Sequence, residues 1–497
     1  MMDQAPILVL VIPLIAAVIA PVAGLFNEKW PYALTLPALA VSGIFSAMLL
    51  LQATTSGPIH YYVGNWRPPW GIECVIDPLN ALMLAIVSGT AFLAAVFSKE
   101  TVRRELAGKE TWFYSLFLLQ TTGLTGIVIT GDMFNLYVFL EITSITGYAL
   151  IAAGEDGACV ATFRYIILGT IGACFYLLGV GYLYMVTGSL NMADIARILP
   201  ALHDSRTVLT AFAFLIVGIA VKMGLFPLHT WLPDAYSSAP SASAALIAPL
   251  MTKVSVYVML RVVFDVFDPS FSIAMLAGTD ILLWAGTIAI VAGAFKALSQ
   301  TDYRRMLCYI IVAEVGYMAG GVGLANPTAL KGVVLHILND AVMTLALFFV
   351  AGIVTFKTQG RSLSDFKDLF KKMPVTMAGF AIAALSIIGV PPTCGFFSKW
   401  LLISGAIAEG AWGFVAALLF SSLVNVIVFF RIFEIGYSFQ SPDESHHHDP
   451  GHGASVISEA PASMLIPLIA AAAAIALIGL FNQPIMEHII NLAIPAL

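Results

Sequence analysis

FAFLIVGIAVKMGLFPLHTWLPDA, residues 212–235, begins as an apolar run, carries a lysine at 222 and then meets Gly224, Pro227 and Pro233. An apolar run of this kind is half of a bilayer crossing, and glycine and proline then break it. Comparable runs of about 20 residues recur along all 497 residues. The chain is 60% hydrophobic and only 10% charged, with a mean hydropathy of +0.93. Soluble domains carry about 25% charged residues, so most of this chain must face lipid or other buried helices. In hydrocarbon each segment must satisfy its own backbone polar groups, so the runs are predicted to be helices.

The fold class that follows is an all-α integral membrane protein with about fourteen transmembrane helices. The spans are expected near 5–26, 31–53, 77–98, 112–130, 133–153, 162–187, 206–227, 243–267, 280–298, 305–324, 328–355, 374–405, 409–436 and 462–482. The N-terminus lacks a basic stretch before its first apolar run, so that run is expected to remain as a span. Residues 54–76, rich in glycine, proline and aromatics, read as an ordered extramembrane loop. Residues 361–372 (RSLSDFKDLFKK) read as a short amphipathic surface helix, and 440–461 as a flexible polar loop. His446, His447 and His448 in that loop are expected to be solvated rather than to bind metal. The five cysteines are scattered and fit small apolar residues in helices, with no disulfide framework or metal cluster and no cofactor motif. A net charge of −6 gives no reason to expect a nucleic-acid partner.

Lysine and arginine in short loops set orientation. KETVRRELAGK (99–109), Arg304 with Arg305, and Lys357, Arg361, Lys367, Lys371 and Lys372 all fall on one side of a fourteen-span chain. That side is expected to be cytoplasmic in a cell (inner) membrane, with both termini on the outer side.

Charges at bilayer depth cost at least ~2.5–3.5 kcal/mol on insertion scales and are functional candidates by default. Glu141 has about two turns of helix on either side within its span. Lys222, Lys253 and Lys399 are equally central. Snorkelling is the alternative for a lysine, but Lys222 is more than a turn from the polar stretch after it. Pro249 loosens the helix before Lys253, and Pro391, Pro392 and Gly395 break the one before Lys399. His229 suits a relay because an imidazole titrates near 6.5, although a satisfied structural histidine is its alternative. His336 and Asp340 stand at i, i+4 and share a helix face, as a relay or as a mutual hydrogen bond. Glu314 is a further carboxylate within an apolar span. Arg164, Lys296 and Arg431 lie near span ends, where snorkelling accounts for them. Desolvation lowers a lysine pKa and raises a glutamate pKa, so an alternating row of the two can hand protonation from neighbour to neighbour.

These residues carry a resemblance. DPLNALML (77–84), DMFNLYVFLEITSITGYAL (132–150), VKMGLFPLHTWLPDA (221–235), SQTDYRRMLCY (299–309), HILNDA (336–341) and GVPPTCGFFSKW (389–400) resemble the antiporter-like proton-translocating subunits of respiratory complex I and of Mrp cation/proton antiporters. The surroundings of Glu141 and the lysine at 399 resemble the D-type Mrp branch most.

The resemblance implies two inverted five-helix repeats, spans 4–8 and 9–13, with spans 7 and 12 discontinuous. The chain then divides into 1–110 (spans 1–3), 111–268, 280–436, and 437–497 with the last span. GLFPLHTW (224–231) and GFFSKW (395–400) would be the matching breaks. Glu141 and Lys222 would pair in the first half-channel, Lys253 would be the central lysine with His229 near it, His336 would lead to the second half, and Lys399 would be the terminal lysine.

Thr344 stands where many relatives have lysine, so Glu314 or Asp340 is expected to compensate. The implied partners are other membrane subunits, the lipid bilayer, protons, and Na⁺ or K⁺. The implied activity is transport within a multisubunit Na⁺(K⁺)/H⁺ antiporter rather than an enzyme of its own. A redox-driven proton pump of the complex I or membrane-bound hydrogenase type is the alternative. A stand-alone solute carrier would need only one or two titratable groups, and no nucleophile or metal constellation supports a membrane transferase.

Overall fold

The computed structural model describes residues 4–154, 157–267, 270–272, 280–437 and 458–495. His446, His447 and His448 lie outside the described residues, as does most of the expected polar loop around them. The chain is mostly helical. Among the described residues, 13 helices are long and apolar enough to cross a membrane.

The first half holds α1 (Ala5–Phe26), α2 (Trp30–Ser56), α3 (Pro78–Glu105), α4 (Glu110–Ile129), α5 (Met133–Ala152), α6 (Ala158–Thr187), α7 (Met192–Ile198), α8 (Arg206–Met223), α9 (Trp231–Ser238) and α10 (Ser241–Leu260). The second holds α11 (Ile281–Leu298), α12 (Tyr303–Leu324), α13 (Pro327–Thr358), the single turn α14 (Leu369–Lys372), α15 (Pro374–Ile388), α16 (Cys394–Ala408), α17 (Trp412–Tyr437) and α18 (Ala462–Leu480).

Residues 54–76 are ordered, as expected. They contain an antiparallel hairpin of β1 (Ile59–Tyr62) and β2 (Glu73–Ile76), with Ile59 opposite Ile76. The expected helix at 361–372 is instead a 3₁₀ turn at Leu363–Phe366 followed by α14. Asp368 between them takes a left-handed backbone (φ 60°), which ends one turn before the next begins.

The helix starts follow from local chemistry. Asp77 accepts from Asn80 N before α3, Asp132 from Asn135 N before α5, Asp302 from Arg305 N before α12, and Asn326 from Ala329 N before α13. Each supplies an acceptor to an amide that the helix itself leaves unpaired. Small residues set the closest approaches. A Cβ on Gly218 of α8 would lie 2.7 Å from the Gly172 carbonyl of α6, and one on Gly286 of α11 would lie 2.6 Å from the Gly320 amide of α12. Helices in lipid gain their contact from this close packing, since burial of apolar surface drives nothing there.

The most enclosed helices are α10, α12 and α13, each about nine-tenths buried in the chain itself. They carry Lys253, Glu314, His336 and Asp340. The three basic loops meet at one end of the bundle. Arg104 donates to the Phe356 carbonyl, Tyr303 N donates to the Arg361 carbonyl, and Asp302 bridges to Ser362.

Candidate functional site

α8 stops at Met223, where Gly224 takes a left-handed φ of 72°. Residues 225–230 then run without regular helix until α9. α15 stops in the same way at Ile388, with Gly389 at φ 94°, before Pro391, Pro392 and α16. Glycine reaches those φ values without a Cβ clash, and the prolines that follow cannot donate to a continuing ladder. Each stop leaves carbonyls without an intrahelical donor. Lys399 uses one of them: its ammonium donates to Ile387 O at 2.5 Å.

The structure brings the buried charges together as lysine–carboxylate contacts. Lys222 Nζ on α8 lies 3.6 Å from Glu141 Oε1 on α5 and donates to Ser144 Oγ at 2.6 Å. Lys253 Nζ on α10 lies 2.7 Å from Asp340 Oδ2 on α13, and both side chains are wholly excluded from the surface. That approach is off the direction of a hydrogen bond, so the contact is one of charge. Asp340 Oδ1 accepts from Thr344 Oγ1 at 2.7 Å. Lys399 Nζ on α16 lies 3.8 Å from Glu314 Oε1 on α12, and 4.9 Å from the centre of the Tyr317 ring.

Glu314 serves two neighbours. Its Oε2 is 2.6 Å from His336 Nε2, and the other ring nitrogen of His336 is 2.9 Å from Ser398 Oγ. Ser398 precedes Lys399 on α16, so α12, α13 and α16 are tied by one polar cluster. Asn339 joins it with bonds to Ser398 Oγ at 3.1 Å and to the Cys394 carbonyl at 2.8 Å. The low surrounding dielectric strengthens every one of these contacts, and makes loss of any single partner costly.

His336 and Asp340 share a helix but not a bond. They point into different pairs, His336 toward Glu314 and Asp340 toward Lys253. His229 stands apart from the row. It lies between α8 and α9, half-buried, with its ring 5.2 Å from Phe226, and its Nδ1 has no hydrogen-bond partner. No bond joins it to Lys222 or Lys253 among the described residues.

A cavity of about 10 Å³ lies between Lys222, Tyr176 and Ser255, near the volume one water needs. It sits between the Lys222 side of the row and α10, the helix of Lys253. Among the described residues no group of three or more His, Cys, Asp or Glu side chains could hold a metal ion.

Sequence reasoning missed the clamp on α9. Asp234 accepts from Arg164 of α6 at 2.8 Å and faces Arg305 of α12 at 2.9 Å. Arg164 is thus not merely a snorkelling residue. The signal was the DA ending of the PLHTWLPDA stretch, an acid one turn into a short helix, which carried no hint of which arginines would meet it.

Residues 130–425 match a protein family described as NADH:quinone oxidoreductase/Mrp antiporter, TM. The NADH-quinone oxidoreductase subunit N of Desulforudis audaxviator is 43% identical over 99% of this chain and 98% of its own length. The D-type Na⁺/H⁺ antiporter subunit of Alkalihalophilus pseudofirmus is 31% identical over 94% of this chain and 93% of its own. Among solved structures, a chain of an archaeal respiratory complex, the membrane-bound sulfane sulfur reductase, superposes with a TM-score of 0.89 at 31% identity, covering 98% of this chain and 96% of that one. A chain of the Mrp complex from Dietzia superposes at 0.86 with 23% identity, over 99% and 97%.

Proposed function

Since this chain belongs to the NADH:quinone oxidoreductase/Mrp antiporter transmembrane family, we propose that it is a proton-translocating subunit of a multisubunit cation/proton antiporter, exchanging Na⁺ or K⁺ for H⁺. One observation carries the reading. Each of the three lysines at bilayer depth has a carboxylate within 4 Å: Glu141 for Lys222, Asp340 for Lys253 and Glu314 for Lys399. A lysine so placed is held charged by its acid and can release its proton when that acid is neutralised. The row then passes charge state from α5 to α16 by alternate pairing and release.

The two helix stops are the discontinuities of spans 7 and 12 in this reading. Residues 111–268 and 280–436 form two inverted five-helix repeats, 1–110 hold the first three spans, and 437–497 end in the last. Glu314, His336 and Asp340 carry the middle of the row, where Thr344 stands in place of a lysine, and His229 is a relay histidine of the first half near Lys253. The end of the bundle where the basic loops meet faces the cytoplasm, and both termini lie outside.

The partners are other membrane subunits. Glu141 keeps 28% of its side chain exposed, on a face of α5 with the exposed Phe134, Val138 and Ile145. A carboxylate at that depth cannot be left against hydrocarbon cheaply, so a neighbouring subunit covers this face.

A specific observation favours a second reading, in which electron transfer in partner subunits drives the same row as a pump. The relative at 43% identity is named for NADH-quinone oxidoreductase. Mass spectrometry of the native complex separates the two by its co-purifying subunits. The common element is tested in vesicles holding the whole complex. Glu141→Ala and Lys399→Ala should each abolish the cation- or redox-driven pH change, and an undiminished signal in both would end the proposal.

A further inference from the structure

A cavity of about 550 Å³ opens at the basic end of the bundle, away from the lysine row, between the ends of α3, α9 and α13. Arg104, Glu105, Ser238, Thr355, Gln359 and Arg361 are among its walls. Its volume is in the range of small-ligand sites.

The charges around it do not cancel. Glu105 is already engaged: both its oxygens accept from Ser241, one from the backbone amide and one from the hydroxyl. Arg304, 2% exposed, lies behind this corner and donates to the Ala239 carbonyl and to Ser241 Oγ. Arg104 donates to the Phe356 carbonyl and lies over the Phe356 ring at 4.8 Å. Arg361 donates to the Ser237 carbonyl at 3.4 Å. The arginine ion pairs among the described residues are those of Arg164, Arg197, Arg261 and Arg305. Arg104 and Arg361 therefore line the cavity with no carboxylate of their own.

A guanidinium has five N–H donors, and a carbonyl takes one or two of them. The donors left over form planar forks that fit a phosphate better than they fit water. The aromatic ring beneath Arg104 holds one fork in place. The Thr355 hydroxyl, the Gln359 amide and the Ser238 hydroxyl add neutral polar groups to the wall. Basic pockets between helices at a cytoplasmic membrane surface meet anionic phosphate there, in lipid headgroups and in solution.

We propose that this cavity is a phosphate-binding site, in which Arg104 and Arg361 take a phosphate group between them at the corner joining α9 to α10. The ligand class is an anionic phosphate, either the diester of a phospholipid headgroup or free phosphate.

The test uses the full chain with its partner subunits in a neutral detergent, stripped of lipid. Phosphatidylglycerol or inorganic phosphate is added, and native mass spectrometry reads the retained adduct. Retention should fall about tenfold in Arg104→Gln and in Arg361→Gln, as expected for one charge-assisted contact. Arg67→Gln, on the opposite extramembrane loop, should retain the adduct unchanged. Retention of phosphatidylglycerol with no displacement by millimolar inorganic phosphate identifies a headgroup, whereas displacement identifies a general phosphate site. Should Arg361→Gln fail to assemble, Arg104→Gln decides alone, because Arg104 is exposed at a helix end. Equal retention of both anions in wild type and in Arg104→Gln overturns the proposal.

Discussion

Lys253 and Asp340 meet at 2.7 Å with neither side chain reaching the surface, and they come from the two halves of the chain. A buried pair of this kind is held by mutual need: removing one partner leaves an uncompensated charge and costs about 3–5 kcal/mol. Asp340→Asn should therefore lower both thermal stability and proton transport. Replacing both, as Lys253→Met with Asp340→Leu, should restore most of the stability while leaving transport absent. Melting of the purified complex and vesicle pH change read the two effects separately. A double variant no more stable than Asp340→Asn alone would mean that the pair is not an isolated ion pair.

Glu314 stands between His336 at 2.6 Å and Lys399 at 3.8 Å, so one carboxylate answers to two bases. Glu314→Gln keeps the shape and removes the charge. It should slow transport at least tenfold, of the order expected when one charge-assisted contact is lost. Glu314→Asp, which keeps the charge on a shorter arm, should recover part of the rate. If Glu314→Gln and Asp340→Asn both leave vesicle transport at the wild-type rate, acid at these positions does not compensate for the lysine that the resemblance would place at Thr344.

The spans were legible because hydrocarbon demands about 20 apolar residues in a row, and no tertiary contact is needed to read them. Glu141, Lys222, Lys253 and Lys399 stood out for the same reason, as charges where none should be. The pairing of Glu141 with Lys222 came only from the resemblance, and the partners of Lys253 and Lys399 were not foreseen. Asp340 and Lys253 lie on different helices, and a helix's own periodicity says nothing about its rotation against a neighbour. The i, i+4 spacing of His336 and Asp340 placed them on one face, but each turns to a different helix across it. The surface helix at 361–372 failed on a single left-handed residue, Asp368, which no hydrophobic period records.

Asp234 takes an arginine from each side, Arg164 of its own half and Arg305 of the other. Both contacts are partly exposed, so their contribution to stability is small and screened by salt. Their consequence is positional, since α9 lies between the helix of Lys222 and the helix of Lys253. Asp234→Asn should leave the melting temperature within a few degrees of wild type and yet reduce transport severalfold. The reduction relative to wild type should be larger at low salt, where the clamp is strongest. Unchanged transport at all salt concentrations would make the clamp a surface ion pair and nothing more.

At the opposite end, Asp77 caps α3 and meets Arg261 at 2.6 Å. Burial alone would raise its pKa, but the Arg261 guanidinium and the amides of Asn80 and Leu79 outweigh burial and hold it below the ordinary 3.8. A carboxyl whose pKa is lower in the folded chain than in the unfolded one stabilises the fold above the unfolded value. That contribution is lost as pH falls from about 3.8 through the lower folded value. The melting temperature of the wild-type complex should therefore drop between pH 5 and pH 3 by more than that of Asp77→Asn, which has no carboxyl to protonate. Above pH 5 wild type should be the more stable, and the two should converge as pH falls, because the substituted asparagine would still cap α3 but would leave Arg261 with Asp265 as its one acid. Parallel acid slopes in the two proteins would show that the Asp77–Arg261 contact contributes nothing to the acid sensitivity of this end.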